Sequence, residues 1–100
     1  MYIRRKVKVI TVHEDIVRTQ YVIMNILRSN KATNYMKSMT LEEIQEVEGR
    51  NKPNTLYKHI RILQEKKLVE IGAKCERANG YYLSEAGLKL LSQYDDMEEN

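Results

Sequence analysis

From Gly49 to Glu70 the chain reads as a tight turn, then a helix with one apolar and one cationic stripe, then a strand. Leu56, Ile60 and Leu63 recur at i, i+4 and i+7, the spacing that stacks side chains on one helical face. Three aliphatic groups in line need a core beneath them. Asn54, Lys58, Arg61 and Glu65 fall on roughly the opposite face at about 100° per residue. A helix clamped to a core on one side and offering Asn, Lys and Arg on the other suits the major groove of DNA. There these side chains hydrogen-bond adenine, phosphate or guanine. Ile62 stands on the shoulder of the wheel, between the two faces.

The flanks of this helix are equally patterned. Thr40-Leu-Glu-Glu43 opens a helix as a capping box, with Met39 and Ile44 at the staple positions around it. Leu41, Ile44 and Val47 are expected to face inward, and Glu42, Glu46 and Glu48 outward. Gly49 ends that helix. Pro53 starts the next at an early position that needs no amide donor. Beyond it, Leu68–Cys75 and Tyr81–Leu83 read as two strands, with Asn79-Gly80 as a strong turn signal for the loop between them. Ser84 caps a last helix over SEAGLKLLSQY, with Leu83 and Leu88 as its staple pair and Leu88, Leu91 and Tyr94 inward.

Before all this, residues 2–12 include the alternation Lys6-Val7-Lys8-Val9, which favours an exposed strand or arm. His13 or Glu14 is expected to open a helix with acids in its first turn and Arg28 at its end. Val17, Tyr21, Met24 and Leu27 form its stripe, widened by Ile16, Ile23 and Ile26. That is more apolar surface than one face of a small domain needs, so part of this helix is central to the core or belongs to a subunit interface. Lys31–Met39 is a polar linker with a short strand expected at Tyr35–Met39.

One hundred residues, 42% apolar, make a single domain with a modest core, and at this size a dimer is plausible. The first 94 residues hold 17 basic and 10 acidic side chains, a formal +7, because four acids crowd the last six positions. The bases gather at Arg4, Arg5, Lys6 and Lys8, and again from Arg50 to Lys67, which points first to nucleic acid. The plainer reading of either cluster is a solvated surface. No apolar run approaches a membrane span and none has signal-peptide layout, so a cytoplasmic protein is expected. A single Cys75 excludes an intramolecular disulfide, and with only His13 and His59 beside it no metal site is expected. His59 lies beside the apolar stripe, where a partly buried or solvated ring is the ordinary outcome. There is no glycine-rich phosphate loop, no paired His–carboxylate motif and no nucleophile with a neighbouring base. An enzyme and a cofactor are therefore not expected, and no small-molecule effector is indicated.

The segments TLEEIQEVEG, PNTLYKHIRILQEKKLVE and GYYLSEAGLKLL, in that order, resemble the winged-helix family of transcriptional regulators over about residues 14–94. The matching features are Asn54-Thr55 at the start of the recognition helix, Leu63 near its end, and the exit Lys66-Lys67-Leu68. The run Tyr81-Tyr82-Leu83-Ser84-Glu85-Ala86-Gly87 matches where the family leaves the wing. Lys67 departs from the pattern, standing where the family usually has Gly, so that turn is expected to be strained or differently shaped. Size and Tyr-rich make-up are most similar to the small winged-helix proteins of crenarchaeal viruses such as the Sulfolobus turreted icosahedral virus. For a viral protein the expected compartment is the host cytoplasm.

The fold class expected is mainly α with a small β-hairpin: a winged helix-turn-helix of three core helices, a wing and a C-terminal helix. Residues 1–13 form a basic arm or strand, 14–94 the winged-helix domain, and 95–100 an acidic tail expected to fray. The resemblance implies a double-stranded DNA partner, with recognition helix 53–67 in the major groove and wing 75–81 on the backbone or minor groove. It puts Asn54, Thr55, Tyr57, Lys58 and Arg61 at the groove, and Arg50, Lys52, Lys74 and Arg77 at phosphates or on the wing. Each has the alternative of an ordinary solvated side chain. A homodimer is expected through Ile16, Tyr21, Ile23 and Leu91. A lone cysteine near a two-fold axis meets its own copy, and hyperthermophiles tolerate cytosolic disulfides. Under the crenarchaeal resemblance an intersubunit Cys75–Cys75 bond is therefore a candidate, against an inert thiol. The other function class is a winged helix used as a protein–protein adaptor in a transcription or replication assembly.

Overall fold

The computed structural model describes residues 16–74 and 76–98. The arm at 1–13, the expected helix start at His13 or Glu14, Cys75 and the last two residues lie outside the described residues. Helix α1 runs Arg18–Ser29, with Ile16 and Val17 ahead of it outside the helix and no acid in its first turn. Val17 is extended (φ −89°, ψ 166°), and its amide donates to Gln20 Oε1 at 3.2 Å, so a glutamine reaching back closes this end. Outside the helix Val17 leaves the 3.6-residue period, and it is 48% exposed where the stripe had it inward. Ile23, Met24 and Leu27 are fully buried.

The linker supplies a strand of only two residues, β1 (Met39–Thr40). Asn34 Oδ1 accepts the Lys37 amide at 2.9 Å and Ser38 Oγ donates to Tyr35 O at 2.7 Å. Such local side-chain bonds bend the backbone that would otherwise extend over 35–39. Helix α2 (Leu41–Glu48) follows with the expected box: Thr40 Oγ1 accepts from Glu43 N at 3.2 Å, and Glu43 Oε1 from Thr40 N at 3.0 Å. Gly49 ends it at φ 71°, its amide on Gln45 O at 2.8 Å. Ile44 is its one fully buried side chain, whereas Val47, expected inward, is 55% exposed. A two-turn helix meets its neighbours over a short stretch, and Val47 lies one turn past Ile44.

Helix α3 (Pro53–Glu65) buries Leu56, Ile60 and Leu63 completely, as their spacing predicts. It stops two residues short of Lys67, which adopts φ 63°. The Lys67 amide donates to Gln64 O at 2.9 Å and the Leu68 amide to Leu63 O at 3.0 Å, the paired closure of a Schellman motif. This is a glycine-shaped turn held by a lysine. Strands β2 (Val69–Ile71) and β3 (Gly80–Leu83) then form, with β1, an antiparallel sheet of order β1-β3-β2. Met39 pairs with Tyr81, Thr40 with Gly80, and Val69 with Leu83. The strand expected over 68–75 ends at Ile71, and Asn79-Gly80 does not make the turn. Gly80 is in β3 and accepts from the Gly72 amide at 2.8 Å, while Glu76 in the loop is left-handed, at φ 59°. Ser38 packs against Gly80 so closely that a Cβ there would lie 2.6 Å from the serine Cβ.

Helix α4 (Glu85–Glu98) starts at Ser84, whose hydroxyl accepts from the Gly87 amide at 3.1 Å and donates to Lys67 O at 2.7 Å. It continues past the expected end at Tyr94 because Arg28 reaches across from α1. Arg28 Nη1 lies 2.7 Å from Asp95 Oδ2, and Nη2 lies 3.4 Å from Oδ1. Tyr94 packs edge-on against Tyr21, ring centroids 5.5 Å apart. Ile23 and Leu91, expected at a subunit interface, are both 0% exposed within this single chain and belong to its core. Leu90, not foreseen as inward, is 3% exposed and shares the burial with Leu91. Ile16 and Tyr21 are half-buried. No helix among the described residues is long and apolar enough to cross a membrane.

Two substitutions probe the joint between α3, β2 and α4. Lys67→Gly relieves the left-handed backbone and should raise the unfolding free energy by about 1 kcal/mol. Gly87→Ala should lower it by about 1–3 kcal/mol by overpacking, since the new Cβ would lie 2.5 Å from both Leu68 O and Leu83 Cδ1. Urea denaturation followed by circular dichroism reads both.

Candidate nucleic-acid interface

The turn between α2 and α3, Gly49-Arg50-Asn51-Lys52, is held by a side chain expected to face solvent. Glu48 Oε1 accepts from the Arg50 amide at 2.9 Å and the Asn51 amide at 2.8 Å, and Oε2 from Asn51 Nδ2 at 2.8 Å. Partial desolvation by itself would raise the Glu48 pKa, but the Asn51 and Arg50 donors and the Arg50 charge outweigh it. The carboxyl sits below its ordinary value. An acid at a helix C-terminus opposes the helix dipole, so its placement is the sequence signal that another role holds it there.

On α3 the anchored face is Leu56, Ile60 and Leu63, which turns Asn54, Lys58 and Arg61 to solvent. Tyr57 is 42% exposed and Thr55 is half-buried. The Arg61 guanidinium carbon lies 5.8 Å from the Tyr57 ring centroid, and Nη1 lies 3.4 Å from the tyrosine hydroxyl. That hydroxyl, foremost, raises the Arg61 pKa. A stacked guanidinium samples fewer orientations before it meets a ligand. Tyr81, at the base of the wing, carries the arrangement onward: burial pushes its phenol up, Asn79 hydrogen-bonds it, and it lies within electrostatic range of Tyr57 and Arg61. Tyr81 and Asn79 both fall within the wing expected at 75–81, but their place beside Tyr57 and Arg61 of α3 depends on the β3 register and is not readable from spacing.

The other edge of α3 faces α1. His59 is half-buried, its Nδ1 3.0 Å from Gln20 Nε2. With Gln20 Oε1 committed to the Val17 amide, the amide nitrogen is the atom that meets the ring, and Nδ1 accepts. The remaining expected contacts divide by place. Arg50 and Lys52 stand exposed at the turn ahead of α3, and Lys74 and Arg77 stand exposed on the loop between β2 and β3. Among the described residues none of these four is in an ion pair. Also among the described residues, no group of three His, Cys, Asp or Glu is placed to hold a metal ion.

No protein-family model and no curated protein sequence matches the chain. Solved structures do match its fold. TubR from Bacillus megaterium pBM400 superposes with a TM-score of 0.74 at 18% identity, covering 84% of this chain and 91% of that one. MepR, a transcription regulator of the Staphylococcus aureus multidrug efflux pump MepA, gives 0.69 at 24% identity over 92% of this chain and 66% of its own. MepR in a DNA complex gives 0.66 at 24% identity, over 84% and 68%. BpsR from Bordetella bronchiseptica, with DNA binding regulated by 6-hydroxynicotinic acid, gives 0.69 at 17% identity over 87% and 58%. The chain thus spans less than two thirds of the MepR and BpsR chains in these two superpositions. These likenesses establish a winged-helix fold, which among the described residues comprises four helices and a three-stranded antiparallel sheet.

The Glu48 clamp makes a pH-dependent contribution. Its folded pKa is depressed, so the stabilisation is complete above the ordinary glutamate value and is lost as pH falls through the lower folded one. Glu48→Ala should cost about 1–2 kcal/mol at neutral pH, leaving two turn amides without their acceptor. The variant's deficit against the parent should shrink in thermal melts taken below about pH 4.

Proposed function

We propose that the chain is a sequence-specific double-stranded DNA-binding protein and a homodimeric transcriptional regulator. Helix α3 lies in the major groove, and the loop between β2 and β3 meets the backbone or minor groove. The observation that carries this is the two-sidedness of α3: three aliphatics sunk in the core hold Asn54, Lys58 and Arg61 outward along one line. Arg61, steadied by Tyr57, suits a bidentate contact to guanine, and Asn54 one to adenine. Lys58 and Lys52 are flexible point charges suited to phosphate, with Arg50, Lys74 and Arg77 as further backbone contacts. The solved MepR–DNA complex supports the reading by fold alone. For the homodimer, Ile16 and Tyr21 are the residues of the expected interface that keep accessible surface.

Binding should fall steeply with salt. Lys58→Ala should weaken all duplexes about equally and lower the salt slope by about 0.9. Arg61→Ala should instead relax preference at one base position, a loss of about 1–3 kcal/mol of discrimination there. Selection of bound duplexes from a random pool, run on parent and variants, separates the two effects. Parent-like behaviour of both would overturn the placing of α3, and no binding even at low salt would favour a protein-contact role.

A further inference from the structure

B-DNA's major groove is about 12 Å wide, and an α-helix with its side chains is about 10–12 Å across. A helix seated there therefore brings both phosphate backbones against whatever flanks it. On the Tyr57–Arg61 edge of α3 the flank is the wing side, with Tyr81 and Asn79 and the loop cations Lys74 and Arg77 beyond. On the opposite edge, Thr55 and His59 lead to α1 through the His59–Gln20 bond. A cleft of about 460 Å³ opens at this side, lined by Arg18, Thr19, Val22, Glu48, Arg50 and Asn51. Arg18 and Arg50 are exposed and, among the described residues, neither is in an ion pair. Among the described residues the carboxylate in the lining is Glu48, and both its oxygens are engaged by Arg50 and Asn51 donors. The cleft thus holds two exposed guanidiniums, of which Arg50 also acts on Glu48 at charge range, and the Thr19 hydroxyl as donors.

We propose that this cleft is a second backbone clamp. Arg18 and Arg50, with Thr19 donating, hold a phosphodiester of the DNA strand across the groove from the one the wing meets. The inference rests on the DNA-binding reading above and adds Arg18 and Thr19 to the interface. A guanidinium is suited to the role because its forked donors match two phosphate oxygens at once. One clamp on each side of α3 fixes the tilt of the helix in the groove as well as its affinity.

The test uses the full chain and a fluorescently labelled mixed-sequence duplex, with affinity measured across a salt series. Arg18→Gln should weaken binding roughly three- to tenfold and lower the salt slope by about 0.9, one phosphate contact's share. Arg18→Lys should keep the slope, and Lys89→Gln, exposed on α4, should match the parent. Duplexes carrying single neutral methylphosphonates then map the contact. Within each half-site, positions that no longer matter in Arg18→Gln should lie on the strand opposite those that no longer matter in Arg77→Gln. Parent-like affinity and slope for Arg18→Gln, while Lys58→Ala loses both, would overturn the clamp and leave the DNA reading standing. Both sets of positions on one strand of a half-site would also overturn it. A parent that binds no duplex at low salt would take down both.

Discussion

The burial of Leu56, Ile60 and Leu63 is the constraint from which the rest of the molecule follows. All three are fully enclosed, so α3 has one rotational setting about its own axis. That setting decides which polar side chains look outward, and it decides what the flanks can touch. Tyr57 comes within electrostatic range of Tyr81 on the central strand β3, and His59 meets Gln20 of α1. Rotation by one residue, about 100°, would turn Tyr57 and Gln64 toward the core and raise Leu56 toward water. Each buried aliphatic contributes about 1.5–3 kcal/mol, so that alternative is out of reach.

The end of α3 is the second joint. Lys67 takes a left-handed turn so that Leu68 can fold back under Leu63, and the two peptide groups there are fully used. Lys67 O accepts the Ser84 hydroxyl and Leu68 O the Ser84 amide, while Gly87 is pressed against Leu68 O. Three elements meet at one dipeptide. The run Leu83-Ser84-x-x-Gly87 thus has a physical meaning: a cap that also bonds the previous turn, and a glycine that lets a helix approach a carbonyl.

Features set by near neighbours were legible in the sequence. The Thr40–Glu43 box, the Gly49 stop, Pro53 and the α3 stripe each depend on residues a few positions apart, and each stands in the structure. Features set by distant partners were not. Asn79-Gly80 carries a hairpin signal, yet its meaning is decided by Ser38, about forty residues upstream, which needs a partner without a side chain. Ile23 read as part of a surplus apolar surface, and Leu91 as both inward and at an interface, because nothing local reveals that α1 and α4 cover each other. The bonds of Arg28 to Asp95 and Gln20 to His59 span 67 and 39 residues. At the candidate interface the exposed cations on α3 were legible from the wheel and Asn79 and Tyr81 as part of the wing, whereas the nearness of those two to α3 and the parts of Glu48 and Arg18 were not.

Glu48 has a consequence for how α2 and α3 respond to anything they touch. One carboxylate satisfies two successive backbone amides and a side-chain amide, which removes most of the torsional freedom of the four-residue connection. The two helices therefore behave as a bracket with a welded corner. A load applied to the exposed acidic side of α2, at Glu42 or Glu46, is transmitted as a tilt of α3 and is not absorbed in the bend. The conformational entropy of ordering that bend is also settled when the chain folds, so none of it is subtracted from the free energy of a later encounter.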